Sequence, residues 1–198
     1  MLLISLFLVR KGDIRDFLII AEGSMVKRVL DLTGRELVDI SAKDFRESVR
    51  SSEGRVIAAE VVVTSKPLVD GVSNVELAAR FGADIIVLNM YDTLQPSVEG
   101  VPPQYASIRG VAEFTQRFVG NNLEPVDKGL IPEGRRLTED TILRSLQLGS
   151  RLIVVTGNPG LGVTWRRVAE GVEAARGLVK VKALVFGGKM HSGGLRAE

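Results

Sequence analysis

The sequence contains no cysteine. That excludes disulfides, thiolate metal sites and a cysteine nucleophile. Aromatic residues make up only 5% of the chain, too few for the base-stacking platforms that hold single-stranded nucleic acid. Charge of one sign is also scarce: 26 Lys and Arg stand against 24 Asp and Glu. The pI near 9.0 reflects this small excess. No run of basic residues marks a nucleic-acid arm. Long apolar runs are missing as well. Residues 1–9 are apolar, but a bilayer-spanning helix needs about 20 such residues. Arg10 and Lys11 follow that run instead of preceding it, unlike a secretory leader. The expectation is a cytoplasmic protein with neither nucleic acid nor membrane as its partner.

What is present suits a packed core. The 198 residues are 45% hydrophobic and 25% charged, and the length suits one domain. The domain is expected to begin at Met25. Residues 1–24 read either as an extension or as an N-terminal hairpin or helix packed on the domain.

From residue 35 onward the chain alternates between two patterns. Residues 35–51 carry apolar Leu37, Ile40, Phe45 and Val49 near helical spacing, with Ser41 as a candidate cap. Residues 55–64 form a short β-branched run, as in a strand buried on both faces. Residues 73–82 read as a helix in which Ser73 and Glu76 make a capping box and Gly82 ends the helix. The cycle repeats. Strands are predicted over 83–90, 122–126, 151–156 and 181–187. Helices are predicted over 107–118, 138–148 and 164–176, followed by Gly120, Gly149 and Gly177. Thr141 stands where a capping box at Thr138 would have Glu, so only half a box is expected.

Five strands alternating with helices imply α/β layering. A doubly wound sheet fits the length. A (β/α) TIM-type barrel has eight units in about 250 residues. Each strand leads into a polar or glycine-rich loop, and a barrel builds its site from all such loops on one rim. The barrel is therefore the preferred architecture, apparently truncated after five βα units over residues 25–198. Such a sheet has an open edge, which predicts a homo-oligomer or a complementing chain there.

The candidate site residues lie at these strand ends. Lys189 and the only histidine, His191, fall in a loop with four glycines. Lys189 suits an anionic group or Schiff-base chemistry, and His191 suits proton transfer. Glu124 and Asp127 offer hard oxygen ligands for Mg²⁺. Glu60 interrupts an apolar strand and is a candidate base whose pKa burial would raise. Thr156, Asn158 and Gly160 lie in a glycine-rich turn before a helix, where backbone N–H groups can cradle an anion. This turn is neither a Walker A loop nor a dinucleotide fingerprint. Asp70 and Asn74 lie in the loop after the first strand, and Asn89 ends the second. Asp70 and Asn74 could equally cap the following helix. Together they predict a small anionic metabolite as ligand.

Several stretches resemble an uncharacterised bacterial TIM-barrel family labelled phosphoenolpyruvate phosphonomutase-like. They are residues 69–90 (VDGVSNVELAARFGADIIVLNM), Asn122-Leu-Glu-Pro-Val, Val155-Thr-Gly-Asn-Pro-Gly and Gly188-Lys-Met-His. The likeness runs from about Met25 to the end and matches the N-terminal two-thirds of such proteins. Residues 70–86 are also similar to the first helix and following strand of the phosphoenolpyruvate mutase and isocitrate lyase superfamily. Glu124-Pro-Val-Asp127-Lys128 is loosely similar to that superfamily's Glu-Asp-Lys metal motif. Its Asp-rich metal loop has no counterpart in this chain. The resemblance implies an enzyme of lyase or mutase (isomerase) type acting on a small phosphorylated or carboxylated metabolite. The alternatives are a non-catalytic partial barrel that binds a metabolite or partner, and an inactive fragment.

Overall fold

The computed structural model describes residues 26–190, with side chains as far as Gly187. Five parallel strands form one sheet in the order β1-β2-β3-β4-β5. They are β1 Ala58–Val62, β2 Ile85–Asn89, β3 Phe118–Leu123, β4 Leu152–Gly157 and β5 Leu184–Met190. Each strand pairs with the next in sequence. That is the order of consecutive barrel units; a doubly wound sheet reverses direction at a switch point. The chain is thus α/β with five consecutive units of a TIM-type barrel.

Helices α3 (Asn74–Arg80), α4 (Ile108–Thr115), α5 (Glu139–Gln147) and α6 (Trp165–Val179) connect the strands. They cover the outer face. Ala59, Val61, Ile86, Leu88 and Val119 pack there with Val75, Ile108 and Val111. Ile153 and Leu123 pack with Ile142, Ala175 and Val179. Alternate residues face the opposite way, and the inner face is apolar at the N-terminal ends of the strands. Val87, Phe118, Leu152 and Val154 pack there against Val29, Leu37 and Phe45.

Those last residues belong to a segment that covers this end of the sheet. The run predicted as one helix over 35–51 is two: α1 Gly34–Asp39 and α2 Ala42–Ser51. Ile40 and Ser41 are extended between them, and Ser41 caps α2 by accepting from Asp44 N. The break lets α2 turn Phe45 onto Phe118, with ring centroids 3.7 Å apart. Arg151, just before β4, donates to the carbonyls of Leu37 and Ile40 at the end of α1. Its guanidinium lies 4.8 Å from the Phe118 ring centroid, and burial lowers its pKa to about 10.

Three other boundaries differ from expectation. The third strand starts at Phe118, four residues before the predicted Asn122, and α4 ends at Thr115. Gln116 takes the left-handed cap conformation (φ 56°) that glycine usually supplies. Its side-chain amide donates to Glu113 O. Gly120, expected to follow the helix, lies inside β3. A Cβ there would stand 2.1 Å from Leu152 O. Helix α6 runs through Gly177 to Val179, because Val179 is fully buried against Ile142 and Leu123. β5 begins at Leu184 and continues to Met190. The capping box at Thr138 is complete: Thr138 N donates to Thr141 Oγ1 at 3.0 Å, and Thr141 N donates to Thr138 Oγ1 at 3.2 Å. A threonine hydroxyl thus does the work of the expected glutamate.

Candidate functional site

The C-terminal ends of β2, β3 and β4 carry a buried polar group on the inner face. Asn122 is central. Strand alternation puts it on the same side as Phe118 and Gly120, opposite Leu123, which packs outward. Its carboxamide donates to Asn89 Oδ1 at 2.9 Å on one neighbouring strand and to Thr156 Oγ1 at 3.4 Å on the other. Asn89, Asn122 and Thr156 are all at least 95% buried. Asn89 is followed by Met90 at φ 62°, a left-handed conformation that costs a non-glycine residue energy and recurs at functional sites.

Glu124 lies two residues beyond Asn122, where alternation continues the same face. It is 8% exposed, and Oε2 has no hydrogen-bond partner among the described residues. Burial raises its pKa above the usual carboxylate range, opposed by the charge of Arg135. The backbone fixes its place: Glu124 N donates to Arg135 O at 3.0 Å and Leu137 N donates to Glu124 O at 2.7 Å. Residues 133–137 are in turn tied to the loop after β2. There Thr93 donates to Gly134 O from both its N and its Oγ1. Two rim loops thus hold one carboxyl.

The sequence-predicted residues divide on this geometry. Asn89, Thr156 and Glu124 come to the same rim. Glu60 is half-buried one layer below it, in register with Val87. It lines an apolar cavity of about 290 Å³ with Phe45, Val49, Ile85 and Leu184. Asp127, expected beside Glu124 as a metal ligand, is exposed and ion-paired with Arg167 at 2.6 Å, which lowers its pKa. Asn74 is spent on its own loop, accepting from Leu68 N and donating to the carbonyls of Ser65 and Lys66. Asp70 is exposed in the tight turn between the bridged Val69 and Val72. Asn158 accepts from Gly160 N at 3.1 Å, so that N–H serves the turn and not an anion. Lys189 lies in β5, in register with Thr156, not in a loop as expected. Its side chain and all of His191 lie outside the described residues.

Two residues of the rim were not predicted as site residues. Asn122 was read only as part of a strand, although an Asn-Asn pair inside an apolar run signals polar groups on both faces. Its neighbour Asn121 faces outward and donates to Ser145 Oγ at 3.1 Å. Arg135 has a buried Nε with no hydrogen-bond partner among the described residues. Nothing in its local sequence distinguishes it from other loop arginines.

The described residues offer Mg²⁺ little. No group of three or more His, Asp or Glu could hold a metal among them. The one buried carboxyl at the rim is biased toward its neutral form, whereas a metal ligand must be ionised. The donor set therefore does not fit a protein-held divalent cation.

Fold and rim define the class: a parallel α/β protein of barrel order, with a buried acid and a carboxamide–hydroxyl cluster at the C-terminal strand ends. The chain belongs to the family described as a domain of unknown function, DUF7916, which it matches over residues 30–198. No protein with a curated description matches it significantly. Among solved structures it is similar to a type I 3-dehydroquinate dehydratase from Clostridium difficile with covalently modified comenic acid. The identity is 11% and the TM-score 0.37, over 76% of this chain and 58% of that one. This chain therefore spans less than two-thirds of that protein, and a likeness at this level carries no functional weight. Among the described residues no helix is long and apolar enough to cross a membrane.

Proposed function

We propose that this chain carries the catalytic rim of a barrel enzyme of lyase or isomerase type acting on a small carboxylated or phosphorylated metabolite. One observation supports this above the others: Glu124 keeps a buried carboxyl oxygen without a partner beside a polar cluster drawn from three adjacent strands. An unsatisfied buried acid costs about 1–3 kcal/mol, and such groups concentrate where they serve chemistry.

In this reading Glu124 gives or takes the proton. A carboxyl held partly neutral near the working pH suits that role. Asn89, Asn122 and Thr156 orient the substrate and hydrogen-bond the oxygen on which charge develops, as an enolate-forming reaction requires. Lys189, one strand from Thr156 in the ladder, is the candidate for the substrate's anionic group, and His191 is a second candidate for proton transfer. Glu60, one layer below the rim, has no part in this reading. No step is routed through a metal ion.

The test is a thermal-shift screen of the whole chain against phosphorylated sugars and keto acids, each with and without Mg²⁺. A ligand at a hundred times its Kd stabilises by about 2.7 kcal/mol. For a chain of this length that raises Tm by roughly 5–11 °C. The shift is expected in wild type and expected to shrink in Glu124→Gln and Asn122→Ala. A cooperative melt that no compound moves, or a shift that both variants keep in full, sinks the proposal. A shift that requires Mg²⁺ overturns the metal-free assignment.

A further inference from the structure

Among the described residues β1 pairs with β2 alone. Its other edge is flanked by apolar hollows on both faces. On the inner face the cavity of about 290 Å³ reaches it, with walls that include Val56, Ala58, Ile85 and Leu184. On the outer face a groove of about 210 Å³ runs between β1 and α3, lined by Ile57, Ala59, Val61, Leu77, Phe81 and Ala83. Phe81 is 82% exposed on its border. A strand added to this edge would meet apolar walls above and below. An alternating strand, polar on one face, would not fit; one apolar on both faces would.

The chain holds such a segment outside the described residues. Residues 2–9 read Leu-Leu-Ile-Ser-Leu-Phe-Leu-Val, with Ser5 as the single polar side chain. Residues 10–25 exceed the dozen or so that a parallel crossover needs. They include a second apolar stretch, Phe17-Leu-Ile-Ile-Ala, of a kind that suits the outer groove. The described chain starts at Val26, three residues before Val29, which is buried with Phe45 and Phe118 at the N-terminal end of the sheet. A parallel unit ahead of β1 would have to deliver the chain to that same end.

We propose that residues 2–9 add as a strand to the edge of β1 away from β2, parallel to it, with residues 17–21 over the outer groove beside α3. Residues 2–25 are then a βα unit of the barrel, and not an appendage. The occupant of the edge is this chain's own N-terminal segment, not a second copy. The inference is independent of the chemistry proposed for the rim.

Hydrogen exchange followed by mass spectrometry on the intact chain tests it. Residues 2–9 and 58–62 are both expected to exchange slowly, to the same extent at low and high protein concentration. Exchange of residues 2–9 at the rate of an unstructured peptide overturns the proposal. So does protection of residues 58–62 that grows with concentration, since a second copy would then hold the edge. Leu6→Asp is expected to speed exchange at least tenfold in both segments; an effect confined to residues 2–9 also overturns it. Because the chain has no cysteine, Leu6→Cys combined in turn with Ala58→Cys, Glu60→Cys and Val62→Cys gives an independent reading. One pair at least should close within a single chain on oxidation. Crosslinks only between chains, or none in the series, count against the assignment.

Discussion

At the scale of single residues, Glu124 dominates. Burial raises its pKa in the folded chain, while the unfolded chain keeps the ordinary value. The neutral form therefore favours folding. Its contribution is complete below the ordinary carboxylate value and is lost as pH rises through the raised one. Wild type should lose stability across that window, at no more than about 1.4 kcal/mol per pH unit, and Glu124→Gln should not. Thermal melts from the acid range to neutrality are expected to show the variant gaining on wild type as pH rises. Parallel curves would mean that Glu124 ionises as freely as a surface carboxylate. The sequence identified Glu124 by its place at a strand end. It could not show that Asp127, three residues on, turns to Arg167 instead, because α6 supplies that arginine from forty positions away.

At the scale of elements, the signals that were legible were local ones. Ser73 with Glu76 makes the predicted box, with the hydroxyl accepting from Glu76 N and the Glu76 carboxylate accepting from Ser73 N. Gly82 takes the expected positive φ of 92°. What failed depended on partners distant in sequence. Phe118-Val-Gly-Asn-Asn reads as a turn until Leu152, Ser145, Asn89 and Thr156 are placed around it. Gly177 reads as a helix end until Val179 is seen buried. The completed box at Thr138 gives a direct check. Thr141→Val keeps the shape but loses both hydroxyl contacts, and the donation to Arg136 O with them. The expected loss is about 0.5–2 kcal/mol, read by denaturant unfolding. A variant as stable as wild type would show that the box adds nothing to α5.

At the scale of the whole molecule, strand order is what separated a barrel from a doubly wound sheet, and the chain's alternation alone allowed both. Order in turn depends on alignment. The strands are apolar on both faces: Ile-Ile-Val-Leu in β2 and Leu-Ile-Val-Val in β4. A slip of one residue exchanges the two faces of a strand, and here it would swap one aliphatic set for another. Burial therefore penalises such a slip weakly. Asn122→Ala removes the donor to both Asn89 and Thr156. It is expected to lower stability by about 1–3 kcal/mol and to split or broaden backbone NMR signals along β2, β3 and β4. A sharp single set of signals would show that the backbone ladders suffice. The carboxamide between its two neighbours then acts as a registration mark. It tells three otherwise interchangeable ribbons which rung meets which, so erasing the binding groups of the rim would also erase the instruction that lines up the sheet beneath them.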